Sequence, residues 1–335
     1  MSAEAPSRVL VTGCCGFIGT HVTSTLLKKG YVVEGVDNMS TANYDFFATE
    51  HNTNSIRILP TEMGFVWEAT AESNDTSDVI VFEGDFIDPF VLQRIVSGKY
   101  DAIIHLAADP RVEYSIQNPV STYENNCKKT AELLYVCAKS NVRVVFASSA
   151  AVYGNTSIPS LESGELKPAS PYAIQKKHSE EIGLLFSDLY DLQFVALRFF
   201  NVYGRGQLGN SSYSTVIASW IDRLKSGLPL RLDGDGEQTR DYINVTDIAA
   251  ACLSALQYKG SGIFNIASGI SISNNDVLSI LMKYTSPKVD KAPTRIGDIK
   301  HSLASVEKAS KCLNFNSRID ISTGLKELML NKTGI

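Results

Sequence analysis

The stretch Val9-Leu-Val-Thr-Gly-Cys-Cys-Gly-Phe-Ile-Gly19 decides the fold of this chain. Val9-Leu-Val11 is a short apolar run of the kind used by a buried strand, and Thr12-Gly13 breaks it. Apolar residues then recur with helical spacing at Phe17, Ile18, Val22, Leu26 and Leu27. Gly13, Gly16 and Gly19 mark the turn and the opening of that helix. Glycines there permit a tight turn and let backbone approach a pyrophosphate, whose charge a helix N-terminus stabilises. The first gap is one residue longer than in the standard dinucleotide fingerprint, so this loop is a variant of it.

Working outward, Val32–Val36, Val79–Phe82, Ala102–Leu106 and Val142–Phe146 read as further buried strands, several separated by helical pattern. Alternation of that kind predicts an α/β fold with a parallel, doubly wound sheet of Rossmann type. Asp37 ends the second strand about 20 residues past the glycine turn, where a ribose-binding carboxylate belongs. Its charge repels a 2′-phosphate, so NAD is expected as cofactor rather than NADP.

The chain has 335 residues, enough for about two domains. Residues 1–200 are expected to form the NAD-binding domain. The polar, weakly periodic segment 40–78 within it reads as a surface insertion. Residues 201–335 are expected to form mainly a smaller α/β substrate-binding lobe, with some segments returning to the first domain. A formal net charge of −5 offers no general attraction for nucleic acid or an anionic membrane. The N-terminal sequence lacks the basic flank and apolar run of a signal peptide, and no apolar stretch approaches a membrane span, so a cytoplasmic location is expected. Asn-x-Ser/Thr triplets such as Asn155-Thr-Ser157 are discounted on the same ground. The six cysteines have no zinc-ligand spacing; reduced thiols and no metal are expected. Cys14 and Cys15 read as small side chains beside the pyrophosphate.

A second constellation follows the fifth strand: Ser148-Ser149-Ala-Ala-Val-Tyr153-Gly154, then Pro171-Tyr172-Ala-Ile-Gln-Lys176. With Ile174, Ile182, Leu185 and Leu189 giving helical periodicity, Tyr172 and Lys176 share one helix face. An ammonium near a phenol lowers its pKa and readies it to exchange a proton with a substrate hydroxyl, to which Ser149 can also hydrogen-bond.

These motifs resemble the extended short-chain dehydrogenase/reductase family, specifically its nucleotide-sugar epimerases and dehydratases, from Arg8 to about Leu328. The resemblance further rests on Gly84-Asp85, His105-Leu-Ala-Ala108, Asn126, Arg198-Phe-Phe-Asn-Val-Tyr-Gly204, Gly234-Asp-Gly-Glu-Gln-Thr-Arg-Asp241 and Arg295-Ile-Gly-Asp298. It implies catalysis by Ser149, Tyr172 and Lys176. Cofactor contacts are implied for Gly13, Gly16, Phe17, Ile18, Gly19, Asp37, Asn38, Asp85 at the adenine, Phe86, Leu106, Ala107, Ala108, Asn126, Ser148, Tyr172, Lys176 and Phe199. The sugar nucleotide is implied to meet Ser149, Asn201, Val216, Arg240, Arg295, Asp298 and Ser302. Arginine forks suit a diphosphate. The resemblance also implies a homodimer packed through helices near Thr122–Lys139 and Tyr172–Tyr190.

Ala150 and Ala151 occupy positions where similar dehydratases carry an Asp-Glu pair and UDP-glucuronate decarboxylases a Glu, which leaves C4 epimerisation through a 4-keto sugar. Ser302 stands where a bulky residue restricts similar enzymes to UDP-glucose and UDP-galactose, so the expected substrate is UDP-N-acetylglucosamine, with UDP-glucose still admitted. The alternatives are UDP-glucuronate 4-epimerisation, another nucleotide-sugar modification, and a noncatalytic NAD- or nucleotide-sugar-binding module. Lys129 in place of a common Gly, and Ser305 in place of a frequent Asp, depart from the family pattern.

Overall fold

The computed structural model describes residues 8–51, 56–61, 79–209, 215–293 and 300–330. Strand β1 (Arg8–Thr12) leads through the glycine turn into α1 (Phe17–Lys28) and β2 (Val32–Asp37). Then come α2 (Tyr44–His51), β3 (Ile56–Pro60), β4 (Val79–Glu83), α3 (Pro89–Val96), β5 (Ala102–His105), α4 (Val112–Gln117), α5 (Pro119–Tyr123), α6 (Lys129–Lys139) and β6 (Arg143–Ser149). The 20-residue α7 (Pro171–Tyr190) precedes β7 (Phe194–Phe199). The remainder runs β8 (Asn201–Tyr203), α8 (Val216–Lys225), β9 (Leu230–Asp233), β10 (Thr239–Asn244), α9 (Val245–Gln257), β11 (Gly262–Ile266), β12 (Ser271–Ser273), α10 (Asn274–Leu281), β13 (Val289–Ala292), α11 (Glu307–Leu313) and α12 (Ile321–Leu330).

Eight parallel strands form the main sheet in the order β11-β7-β6-β5-β1-β2-β4-β3. Strand order reverses between β1 and β5, and ligands of open α/β sheets bind at the carboxyl ends of strands beside that reversal. Successive strand residues face opposite sides, so Val9 and Val11 join the core under α1 and α9 while Leu10 joins the one under α3, α6 and α7. This is a Rossmann-like α/β fold. A smaller unit pairs β8 with β10, β10 with β12 and β9 with β13 around Trp220, Tyr203, Leu230, Leu281 and Leu325. Among the described residues, no helix is long and apolar enough to cross a membrane.

The expectation of a surface insertion over 40–78 is corrected where that segment is described. α2 buries Phe46 and Phe47 completely, and β3 is the edge strand of the main sheet, in register with β4. An edge strand is half-buried and lacks the continuous apolar run of a central one, so its sequence reads as a loop. Gly262–Ile266 is no part of the smaller unit, since β11 completes the main sheet against β7.

α7 carries Tyr172 and Lys176 on one face, as expected. Its buried face carries Tyr172, Gln175, Lys176, Ser179 and Glu180, while Ile174, Leu185 and Leu189 are exposed. Ser170 caps the helix by accepting from the Ala173 amide, and Pro171 takes the first helical position.

Candidate active site

Gly13 adopts φ +70° and donates its amide to Val36 O at 2.8 Å, tying the turn to β2. A Cβ on Gly13 would lie 2.9 Å from the Ala107 nitrogen, and one on Gly19 would lie 2.0 Å from the Gly13 carbonyl oxygen. The turn, the first helical residues and the end of β5 therefore meet backbone to backbone, as a pyrophosphate cradle requires. The Thr12 hydroxyl accepts from the Ala107 amide and lies 2.7 Å from His105 Nδ1. Burial pushes His105 down to about 3, which leaves a neutral ring bracing the loop between Thr12 and Thr130.

Asp37 accepts from the Cys15 amide at 2.9 Å and the Met39 amide at 2.8 Å. Burial raises its pKa while these backbone bonds oppose the rise. The acid thus shapes the turn from the end of β2, where a ribose would meet it. Cys14 and Cys15 do not line the pyrophosphate cradle as expected. Both are fully buried, and Cys14 packs so closely on Gly35 that a Cβ there would lie 2.3 Å from its sulfur.

Asp85, expected at the adenine, is engaged within the protein: Lys129 Nζ donates to one carboxylate oxygen at 2.5 Å and the Ile87 amide to the other at 3.2 Å. Phe86 packs edge-on to His105 at 4.7 Å, and Asn38 accepts from Ser40. A π-helical turn over Glu124–Lys128 points Asn126 inward, where its amide bonds Gln175 of α7 and both main-chain groups of Asp109. Asn126 therefore anchors α7 to the segment after Leu106, Ala107 and Ala108.

Ser149 ends β6 paired with Phe199, and Tyr172 opens α7, with the Ser149 hydroxyl near enough to the phenol to affect its pKa. Burial raises the Tyr172 pKa and the Ser149 hydroxyl pulls it down. Lys176, expected to lower this pKa, does not reverse the rise that burial causes. Lys176 is buried and pushed down to about 8, its ammonium donates to Ala147 O at 2.7 Å, and it sits 5.8 Å from the Tyr172 ring centroid. The structure thus brings Tyr172 to Ser149 at the end of β6, with Lys176 a buried cation one helical turn on.

Ser148 was expected to meet the cofactor, but it is buried and its hydroxyl donates to Glu180 at 2.5 Å. Glu180 in turn accepts both arms of the Arg198 guanidinium at 2.9 and 2.7 Å. Arg198 also donates to Tyr153, whose hydroxyl donates to Asn265 on β11. This buried network locks α7 to β6, β7 and β11 directly behind the catalytic residues.

Two adjoining cavities lie nearby, one of them reached by Ser149. The first, about 210 Å³, is lined by Ser149, Ala150, Ala151, Phe199, Phe200, His301 and Ser302. Phe199, expected at the cofactor, lines this chamber. The second, about 220 Å³, is lined by Val216, Trp220, Arg223, Arg231, Asp233 and Gln238. Asn201 and Arg240 line both. A cation at the junction of two pockets matches a diphosphate joining a sugar to a base.

Residues 9–267 match the profile of the NAD dependent epimerase/dehydratase family. The chain belongs to this family. Its relatives include UDP-glucuronate 4-epimerase 2 of Arabidopsis thaliana, 30% identical over 96% of this chain and 74% of that protein. The UDP-N-acetylglucosamine 4-epimerase of Methanobrevibacter ruminantium, solved with UDP-N-acetylmuramic acid, superposes with a TM-score of 0.83 at 29% identity, covering 98% of this chain and 100% of that one. The UDP-glucose 4-epimerase of Thermus thermophilus, solved with NAD, superposes with a TM-score of 0.80 at 28% identity, covering 98% and 99%.

The glycine cradle, which any Cβ would fill, and Asp37 at the end of β2 fit this family's NAD. Arg295 and Asp298 lie outside the described residues. Sequence reading missed Glu180, Tyr153 and Asn265, because each gains meaning only from a partner brought close by folding. Arg223, near the end of α8, and Arg231, inside β9, stand in no motif, and Asp233-Gly-Asp was the one local signal nearby.

Proposed function

We propose that this epimerase/dehydratase interconverts C4 epimers of a UDP-sugar, with UDP-N-acetylglucosamine and UDP-N-acetylgalactosamine as the preferred pair. The observation that carries the reading is the shared lining: Arg240 and Asn201 join a chamber holding Ser149 and Ser302 to one rich in arginine. Tyr172 takes the proton of the sugar 4-hydroxyl and returns it, and Ser149 holds that hydroxyl toward the phenol. Bound NAD supplies the reversible oxidation at C4. Lys176 keeps positive charge beneath the pair. Ala150 and Ala151 put no carboxylate into the sugar chamber at the two positions where similar dehydratases carry an Asp-Glu pair, which favours epimerisation over elimination.

Ser302, held by its amide on Thr239 O at 3.1 Å, leaves the chamber wall open to an acetamido group. Ser302→Tyr should lower kcat/KM for the N-acetyl sugar by roughly tenfold or more and leave UDP-glucose turnover nearly intact. Proton NMR of products, with each sugar supplied separately, measures this. Equal losses on both sugars would remove the steric argument. Turnover of UDP-glucuronate alone would transfer the reading to a carboxylated sugar, for which Arg240 and His301 are the available partners.

The reading assigns NAD to residues 1–200 and the sugar nucleotide mainly to 201–335. It places the enzyme in the cytoplasm, in keeping with six free cysteines. It also includes a homodimer. Val120, Tyr123, Tyr135, Ile174, Leu185 and Leu189 leave α5, α6 and α7 with exposed apolar side chains on the outer face of the fold. Light scattering should give twice the chain mass, and Leu189→Asp should halve it. A monomer in the unmodified protein would remove this part and leave the chemistry intact.

A further inference from the structure

We infer that α2 is a clasp that positions the nucleotide-pocket segment 201–209, β8 and the loop after it, against the cofactor turn, and that Arg205, Glu50 and Phe46 are positioning residues for nucleotide-sugar binding. The inference rests on the nucleotide-sugar reading and concerns a segment that reading leaves without a role.

The contacts form one continuous series. At the cofactor turn, the Asn43 amide donates to Cys15 O at 3.0 Å, and its side chain donates to Gly206 O at 3.3 Å. One turn into α1, His21 Nε2 lies 2.9 Å from Arg205 O, with its ring edge-on to Phe17 and against Phe46. From α2, Glu50 pairs with the Arg205 guanidinium at 2.8 Å, and that guanidinium lies 5.4 Å from the Phe46 ring centroid. Gly206 has φ +85° and meets Phe46 so closely that a Cβ would lie 2.3 Å from the ring. The next residue, Gln207, donates to Val202 O and accepts from the Thr215 hydroxyl. Thr215 caps α8 and lines the second cavity.

The loop thus has one end in the nucleotide pocket and its middle fastened to α1 and α2. Ordering a loop before the ligand arrives removes that cost from binding. The Glu50–Arg205 pair is partly exposed and weak alone, but the cation over Phe46 and the Asn43 and His21 bonds act on the same two residues, Arg205 and Gly206. Nothing in the clasp touches the proton-transfer pair, so its effect belongs in affinity and not in the chemical step.

The test is calorimetric titration of the NAD-loaded enzyme with UDP, alongside steady-state kinetics, for Arg205→Met, Arg205→Lys, Glu50→Gln and the Arg205→Met/Glu50→Gln double variant. Arg205→Met should weaken UDP binding and raise KM roughly threefold to tenfold, with kcat within about twofold and NAD content unchanged. Arg205→Lys should restore part of the affinity, and the double variant should bind no worse than Arg205→Met. Unchanged UDP affinity and KM in Arg205→Met would overturn the clasp, as would a lower melting temperature with both constants intact. If the unmodified enzyme binds no UDP, the nucleotide-sugar reading itself falls.

Discussion

Tyr172→Phe should lower kcat about 10²–10⁴-fold while NAD stays bound. The substitution removes one oxygen from a side chain whose backbone amide is held by the Ser115 hydroxyl and whose helix is anchored through Gln175 and Ser179 to Asn126. The ring therefore keeps its place and the cofactor turn is untouched. Lost with the oxygen is the group that takes the sugar proton; among the described residues the chamber beside Ser149 offers Tyr153 and His301 as other proton-bearing side chains, and the Tyr153 hydroxyl is already tied to Asn265 and Arg198. Burial holds the phenol's pKa up, and the Ser149 hydroxyl opposes this, so Ser149→Ala should leave the tyrosine harder to ionise and also slow the enzyme. Turnover by the Phe variant at the unmodified rate would remove Tyr172 from catalysis and bring forward a binding module that uses the fold without chemistry.

The second large effect concerns stability. Arg198→Leu should cost about 3–5 kcal/mol, because it strands the Glu180 carboxylate in a site where only Ser148 remains to donate to it. Arg198 and Glu180 are each 1% exposed, so water cannot replace the lost partner. The melting temperature of the NAD-loaded enzyme should fall on the order of 10 °C. Replacing Glu180 by Leu as well should recover part of the loss, since an apolar pair of similar volume carries no buried charge. A melting temperature within a degree or two of the unmodified enzyme would show that the network is not what holds α7 in place.

The two effects separate what is near the substrate from what supports it, and they separate equally what was legible in the sequence. Tyr172, Lys176 and Ser149 could be read because their types and spacing are tied to one chemistry. Glu180 could not, since a glutamate one turn past Lys176 looks like any solvated helix residue until Arg198 is folded against it. The polar character of the inward face of α7 was not legible either, because it depends on the Asn126, Ser148 and Arg198 side chains that the face meets. Lys129 was visible as a departure from the family pattern, but its pairing with Asp85 was not.

By itself, the sequence determined the cofactor turn, the parallel alternation of strands and the Tyr172–Lys176 spacing. Each is a local property: a glycine's accessible φ, the period of apolar residues, the pitch of one helix. Only the tertiary structure decided that Tyr153 meets Asn265 across 112 residues, that Arg240 stands between two chambers, and that α2 reaches the loop after Asn201. Those outcomes depend on which buried polar groups find one another once the sheet is assembled. No run of neighbouring residues encodes that pairing, because the cost of leaving any of them unpaired arises only after water has been excluded.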